Sequence, residues 1–597
     1  MANAIRLDKD AIIEAGTGCG KSMSLLVPAI AAKKRVVYAT ATNTLLDQLR
    51  LKDIPLLQSA GFTFKAVTVK GRSRYVCNIK ADQQDVIRTE DLLAWIKTTK
   101  TGDLADAPGD PSPEVIAGLV AGEDECAGKK CDAYWKCHYY SARESAPGAD
   151  VILTNHAVLA QHMATGRILP DDVQIIIVDE AHKFEATVRD SLKEEISLHA
   201  GQRALKLTQA LGLPALDGAT LQVRQAGNLF FKNLRHVLAR RAEEGERTVV
   251  IDPEKLGAEL PKLAEQYRAA VDLVMKRLEP YSNTEQCREA WAEVRSGLAA
   301  LWSEDANTVC WAELGGETVT AYSAPVSVAS YIRSRLGKHV VIYASATLAT
   351  ASGEDAFVWA REALGLQSPL ELQVDSPFDY RRQLLYYLPE IELEEGWEKN
   401  PAVYARCIAP HIVELLDATE GRAFVLFTSY KELRATRRLV DCRWPIACQG
   451  DASPKQLMEW FRRTRGAVLF ATGAFWEGID QPGQELSCVI LVRIPFSPPS
   501  DPVAIGRARA LGRKAFYLDS VPRATQTFKQ GVGRLIRSEG DKGIIGAFDQ
   551  RLKTKNYGQL ILEALPGKPL PGYNTLKQSS LKHLSKFLHP DPRQEAA

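Results

Sequence analysis

The stretch Ala11-Ile12-Ile13-Glu14-Ala15-Gly16-Thr17-Gly18-Cys19-Gly20-Lys21-Ser22 begins on an apolar run, passes through a glycine-rich turn and ends on a lysine and a serine. Ala11–Glu14 reads as a strand, Ala15 to Gly20 as the turn, and Met23 to Ala32 as an apolar helix that Lys21 and Ser22 introduce. Val36–Thr40 follows as a second strand. Strand, helix, strand at this spacing is a βαβ unit, which predicts an α/β fold with a parallel sheet. Consecutive backbone N–H groups at a helix N-terminus form a nest for phosphate. Ala15, Gly16, Thr17, Gly18, Cys19 and Gly20 are the expected nest. Lys21 is expected to reach the phosphate oxygens and Ser22 to ligate Mg²⁺. Alanine stands at position 15, where the phosphate-loop pattern carries its first glycine.

Working outward, Ile175-Ile176-Ile177-Val178 is a continuous β-branched run, the mark of a strand buried on both faces. It ends in Asp179-Glu180-Ala181-His182. A carboxylate at the end of such a strand suits the metal's water shell, and its neighbour suits orienting and deprotonating an attacking water. Asp179 is given the first role and Glu180 the second. The chain between Lys21 and Asp179 is too long for a connection within one sheet, so a segment is inserted there. A second long gap runs from His182 to Ser345. After Pro261, residues Leu263, Tyr267, Ala270, Val271, Val274 and Leu278 share one helical face, and Ala290, Trp291, Val294, Leu298, Leu301 and Trp302 repeat the pattern. Residues 195–321 therefore read as a helical insertion. Strand-like segments resume at His339–Tyr343, Arg422–Phe427, Ala467–Ala471 and Leu486–Val492, which points to a second α/β sheet. The tail beyond Pro566 is rich in Pro, Gly, Lys and Ser and is expected to fray.

With 45% apolar and 25% charged residues, the 597-residue chain is neither disordered nor fibrous. It has no apolar run long enough for a membrane span and no secretory leader pattern, so a cytoplasmic protein is expected. Eleven cysteines are too few for a disulfide scaffold in a chain of this length. A net charge of +2 gives no whole-molecule attraction to nucleic acid, which leaves local basic grooves as the means of binding it.

Two further segments fit a nucleotide-driven motor. Ser345-Ala346-Thr347 follows a strand, and Gln530-Gly531-Val532-Gly533-Arg534-Leu535-Ile536-Arg537 places two arginines three apart, as on one helical face. Arginines so placed can stabilise charge on a phosphoryl group held by another domain. Taken together, EAGTGCGKS (14–22), YATATNTLLDQL (38–49), TNHAVL (154–159), the DEAH sequence, ASATL (344–348), DSPF (375–378), VLFTSY (425–430), ATGAFWEGID (471–480) and QGVGRLIRS (530–538) resemble superfamily 2 helicases. Within that superfamily they resemble the DinG/XPD family of iron–sulfur helicases, on the bacterial DinG side. CRISPR-associated and mobile-element DinG-like proteins share that likeness.

The resemblance implies two RecA-like motor domains: the first from 1–72, 150–194 and 322–374, the second from 375–597. It further implies an iron–sulfur insertion at 73–149 and a helical arch at 195–321. Lys21, Asp179, Glu180, Gln530, Arg534 and Arg537 become the catalytic set, with Gly478 and Asp480 added to the nucleotide contacts and Thr42 to the DNA contacts. Implied cofactors are ATP, Mg²⁺ and a [4Fe–4S] cluster. Implied partners are single-stranded DNA, duplex junctions, RNA–DNA hybrids, and a repair or CRISPR complex, with no membrane and a monomeric state. The implied activity is ATP-dependent unwinding, 5′→3′, of duplexes, D-loops or R-loops. The alternative is an ATP-driven translocase or remodelling accessory of a larger assembly. No exonuclease segment is expected ahead of the loop. No residue before Ile12 is the glutamine by which the family reads adenine, so adenine selectivity is expected to be weak or supplied from elsewhere.

Cys77, Cys126, Cys131 and Cys137 form a C-x48-C-x4-C-x5-C pattern. Thiolates select soft metals, so the residues alone leave zinc, an iron–sulfur cluster or no metal. The spacing and the flanks KGRSRYVC and CHYYSARE look like the [4Fe–4S] ligands of DinG. Lys70, Arg72, Arg74 and Tyr75 precede the first cysteine, and Tyr134, Trp135, His138, Tyr139 and Tyr140 surround the others. Cations beside aromatics suit single strands, and Arg72, Arg74, Tyr75 and Tyr139 are the expected contacts. Arg462, Arg463 and Arg465, and Arg507, Arg509, Arg513 and Lys514, read as solvated helix faces.

Overall fold

The computed structural model describes residues 1–16, 18–83, 89–109, 111–122, 125–242, 247–252, 255–303, 305–473, 475, 486–567, 575–576 and 587–588. The chain starts with strands β1 (Ala11–Ala15), β2 (Val36–Thr40), β3 (Ala66–Thr68), β4 (Val151–Asn155) and β5 (Ile175–Asp179). β1, β2 and β5 are buried at every position, as the apolar runs predict for a parallel sheet covered on both faces. The chain then leaves this sheet for β6 (Glu194–Ser197), β7 (Thr248–Ile251), β8 (Thr308–Leu314) and β9 (Val319–Pro325). It returns with β10 (Val340–Ser345) and β11 (Leu370–Val374). The completed first sheet has the order β11-β1-β10-β5-β2-β4-β3, and its pairings are parallel.

A second parallel sheet holds β12 (Leu384–Tyr387), β13 (Ala423–Phe427), β14 (Ile446–Cys448), β15 (Val468–Thr472), β16 (Cys488–Leu491), β17 (Gly543–Ala547) and β18 (Thr575–Leu576). Its order is β14-β15-β13-β16-β17-β12-β18. The two sheets are the pair of RecA-like units expected.

The arch region departs from the expectation of a purely helical insertion. Helices Leu198–Gln209, Asp217–Ala239, Glu259–Leu278 and Glu285–Ala300 are present, and the stripe Leu263, Tyr267, Ala270, Val271, Val274 and Leu278 is buried. They pack on an antiparallel sheet, β6-β9-β8-β7. Long helices separate β6, β7 and β8, which hides them from a periodicity reading, and β8 (TVCWAEL), joined to β9 across residues 315–318, lacks clean alternation.

The arch is also anchored to the far unit. Helix Pro502–Leu511, from the second half of the chain, lays Val503 on Val309, Trp311, Ala324 and Val326 of β8, β9 and the residue after β9. Gly506 permits this approach: a Cβ there would lie 2.8 Å from Val326 Cγ2 and 3.0 Å from Val309 Cβ. The cysteine-bearing segment, by contrast, has a small aliphatic core of Val76, Ala81, Leu92 and Leu119, with Trp95, Ile96, Leu104, Ala107 and Val115 partly buried against it.

Gly506→Val should therefore overpack this seam and cost about 1–3 kcal/mol, read as a lower Tm. Gly218→Ala, where an added Cβ meets nothing within 4 Å, should show no loss.

Candidate active site

Strand register brings the distant motifs together. β1 pairs with β10 so that Glu14 lies beside Ser345, and β10 pairs with β5 so that Ala344 lies beside Asp179. The phosphate loop, the serine of the SAT segment and the DEAH carboxylates thus share the C-terminal edge of one parallel sheet, where such folds bind their ligands. Gly18 and Gly20 have φ of 81° and 65°, the left-handed backbone the loop needs before helix Lys21–Ala31 begins.

Lys21 Nζ lies 2.7 Å from Glu180 Oε1 and 3.0 Å from Asp179 Oδ1. Burial works against the ammonium, but the two carboxylates outweigh it and raise its pKa. Asp179 and Glu180 then divide. Burial pushes Asp179 up despite Lys21, whereas Lys21 and His182 overcome burial at Glu180 and hold it below the ordinary carboxylate range. Of the two, Glu180 is the more readily ionised.

Each carboxylate is held from behind. Tyr38 Oη donates to Asp179 Oδ2 at 3.0 Å, and the Glu180 N–H donates to Asp179 Oδ1 at 2.9 Å. Tyr38 also interacts with Ser22, as does Asp53, whose pKa burial raises. Ser345 Oγ donates to Glu180 Oε2 at 3.0 Å. That commits the serine proton, so His182 donates from Nδ1 to Ser345 Oγ at 2.7 Å. Glu180 itself has φ 55°, a left-handed backbone that is costly for a side chain with a Cβ. Serine and histidine therefore lock a carboxylate on a strained residue. Thr17, Gly478 and Asp480 lie outside the described residues.

The second unit reaches this edge through helix Val521–Val532. Gln526 Nε2 donates to the Thr347 carbonyl at 2.8 Å, and Gln530 Nε2 lies 3.4 Å from Thr347 Oγ1. The arginines correct the helical-face expectation. The helix ends at Val532, so Arg534 sits in a turn and Arg537 in chain of no regular structure. Arg534 is buried, and Asp541 fixes the Arg537 backbone by accepting its N–H at 2.9 Å.

Sequence reading missed a second seam contact. Glu185, one turn beyond the DEAH sequence, accepts from Arg189, from Arg507 at 3.2 Å and from Arg523 at 2.8 Å. These cations outweigh burial and hold its pKa down at about 2. Arg507 is thus a buried seam residue rather than a solvated charge, and burial beside Arg523 lowers its own pKa to about 10. Only the fold could reveal this, since no local pattern marks Glu185.

The expected nucleic-acid contacts divide in the structure. Thr42 is exposed and caps helix Asn43–Gln48, and Arg74 is exposed on a short 3₁₀ turn. Arg72 lies 5.7 Å over the Tyr139 ring and donates to the Gly122 carbonyl at 3.2 Å. Tyr75 and Tyr139 are buried at 5% and 8% exposure and pack on each other, leaving little ring face for a base. Lys70 is enclosed too, buried between Asp47 and Asp103, both at 2.6 Å. Trp135, not in the expected set, is 89% exposed.

None of the eleven cysteines is joined in a disulfide. Among the described residues no group of three or more His, Cys, Asp or Glu side chains is drawn together as a formed metal site. The donor chemistry nonetheless suits one. Cys137 caps helix His138–Ser145, and the backbone N–H groups of Tyr139 and Tyr140 face its sulfur. Burial raises its pKa, and Cys126 and Cys77 are near enough to raise it further. Asn78 Nδ2 ties the first cysteine's neighbour to the Lys136 carbonyl at 2.8 Å.

His156 Nε2 meets the Asp179 carbonyl at 2.8 Å, and burial lowers its pKa to about 3, so the ring stays neutral. An unfolded histidine titrates near ~6.5. The unfolded chain thus binds an extra proton between these values, and the stability His156 contributes, full above pH ~6.5, is lost as pH falls toward 3. Between pH 7 and 5.5, wild type should lose about 1.3 kcal/mol more than His156→Gln in denaturant titrations.

Residues 412–568 match the helicase C-terminal domain family and residues 123–200 the DEAD_2 family. The chain is 30% identical to the ATP-dependent DNA helicase YoaA of Haemophilus influenzae, over 98% of its own length and 94% of the relative's. To the Escherichia coli YoaA it is also 30% identical, over 95% and 92%. It is 27% identical to the 3'-5' exonuclease DinG of Bacillus subtilis, over 95% of this chain and 69% of that one. A solved XPD helicase superimposes with a TM-score of 0.60 at 18% identity, covering 96% of this chain and 97% of the other, which shows the shared fold. The chain belongs to the DinG/YoaA family of ATP-dependent DNA helicases.

Proposed function

We propose that this protein moves 5′→3′ along single-stranded DNA as a monomer, with ATP hydrolysis at the sheet edge driving separation of duplexes, D-loops and R-loops. The observation that carries this reading is that Lys21, Asp179, Glu180 and Ser345 converge at an edge that helix Val521–Val532 of the second unit also touches. A nucleotide bound there is shared by two bodies, so its hydrolysis alters how they fit.

The β- and γ-phosphates enter against the loop and take Lys21 from Glu180. Glu180, still held by Ser345 and His182, is then free to orient and deprotonate the attacking water. Asp179, fixed by Tyr38, and Ser22 would hold Mg²⁺, which neutralises phosphate charge when bound. Gln530, Arg534 and Arg537 would stabilise the charge of the transferring group from the second unit. Cys77, Cys126, Cys131 and Cys137 would hold a [4Fe–4S] cluster whose bonds cross-link a segment with little apolar core. Single strands, duplex junctions and RNA–DNA hybrids are the substrates, and a repair or CRISPR assembly is the setting this activity would serve.

Strand displacement on 5′- and 3′-tailed duplexes, with each nucleoside triphosphate in turn, tests the reading. Unwinding of 5′-tailed substrates with ATP is expected. Hydrolysis without strand separation on any substrate would assign the accessory-translocase role instead.

Glu180→Gln should retain ATP binding but lower DNA-stimulated hydrolysis by about 10²–10⁴-fold, the usual contribution of a positioned base. Wild-type turnover would remove Glu180 from the mechanism. Anaerobically purified protein should contain about four irons per chain. Cys126→Ser should lose them and lose unwinding well before ATP hydrolysis, because Lys21, Asp179 and Glu180 lie outside the cysteine segment. One zinc and no iron would refute the cluster.

A further inference from the structure

Glu14 stands immediately ahead of the phosphate loop and is buried, and no step above employs it. Its Oε2 accepts the N–H groups of Leu348 and Ala349, both at 2.7 Å, and its Oε1 accepts Gln373 Nε2 at 2.9 Å. All three donors belong to the first motor domain, so the carboxylate is oriented there without help from the second. Lys529 comes from the second. Its Nζ reaches Glu14 Oε1 at 2.9 Å, Glu14 Oε2 at 3.0 Å and the Ala349 carbonyl at 2.9 Å. An ammonium has three donors, and three acceptors meet them. Lys529 is only 5% exposed.

The arrangement is asymmetric. If the domains part, Glu14 keeps its three first-domain donors, while Lys529 leaves behind every acceptor named here. Lys529 also directly precedes Gln530, whose amide and that of Gln526 both meet Thr347. At the other end, Glu14 is joined covalently to Ala15 of the loop, and Leu348 and Ala349 directly follow the SAT segment. One ion pair therefore ties the loop, the SAT segment and the start of the arginine segment together.

We propose that Glu14 and Lys529 are a positioning pair. Docking of the ammonium on the preformed carboxylate sets Gln530 to Arg537 in register over the phosphate loop, so that hydrolysis follows closure of the two domains. This rests on the reading of Gln530, Arg534 and Arg537 given above. The geometry also dictates the residue type. Three acceptors around one point suit an ammonium and not a planar guanidinium. A charge swap would set an ammonium against the Leu348 and Ala349 N–H groups.

The test uses full-length E14Q, K529M and the double variant, with a fluorescent ATP analogue for affinity. DNA-stimulated kcat and KM report turnover, and energy transfer between dyes on the two domains reports closure. Each single variant should lower kcat by about 10- to 100-fold, the range of an inter-site coupling. Affinity for the analogue should hold within about twofold, as expected when an interaction acts in the closed state rather than in ground-state binding. The double variant should be no slower than the slower single one, the mark of residues acting as a unit. K529R should not restore kcat. Wild-type kcat in K529M, additive losses in the double variant, or an affinity loss matching the kcat loss would overturn the pair. Should K529M fail to fold, the double variant, with no unpaired buried charge, carries the closure measurement, and wild-type closure there overturns the proposal. Arg534→Ala runs in parallel. Its full activity would refute the arginine reading alone, while closure in K529M still decides the pair.

Discussion

Three parallel strands that end level with one another make the chemistry possible. β1, β10 and β5 are adjacent, and their register sets Glu14 beside Ser345 and Ala344 beside Asp179. A slip of one residue in any of them would turn the terminal side chains to the opposite face. The hydrogen-bonded ladder thus spaces Glu14, Ser345 and Asp179, while Glu180 follows β5 directly and Lys21 reaches in from the helix after the loop. The ladder in turn is held by apolar runs buried on both faces.

The seam between the two units is built differently. Where each unit's interior is close-packed aliphatic and aromatic side chains, buried charge joins them at the seam: Glu14 with Lys529, and Glu185 with Arg507 and Arg523. Buried ion pairs add little net stability relative to apolar packing, because desolvation offsets attraction. They do enforce one register, and water can take over their hydrogen bonds when the surfaces part. An apolar seam of the same area would hold the domains shut. Helix Pro502–Leu511 supplies apolar packing where the second unit meets the arch, with Val503 on Val309 and Val326.

The phosphate loop and the DEAH sequence were legible because each couples a distinctive string to an apolar strand whose burial is unmistakable. Lys529 was not, because an isolated lysine on a helix is ordinarily a surface residue, and its partner is 515 positions away. Glu14 read as the last residue of a strand, and nothing local marks its carboxylate as the acceptor of donors from Leu348, Ala349 and Gln373. Tyr75 and Tyr139 misled in the opposite sense. Aromatics beside cations suit a nucleic-acid groove, yet in the cysteine segment, where apolar residues are scarce, the same rings serve as the core. The helical-face reading of Arg534 and Arg537 failed because periodicity carries no stop signal at Val532, where the chain turns after Gly533.

The position of β1 in its sheet bears on how the protein is made. Its neighbours are β10 and β11, so Ala11–Ala15 has no strand partner until Val340–Ser345 is available, and Glu14 waits longer still for Gln373, 359 residues on. At ribosomal rates of roughly 5–20 residues per second, that interval is about 20–70 s. During it the arch can assemble around its own apolar core, Trp291, Tyr267 and Phe230 included, while β1 waits. The nucleotide-binding strand is thus synthesised long before its sheet neighbours. A nascent chain must keep that short apolar edge from pairing with anything else in the meantime.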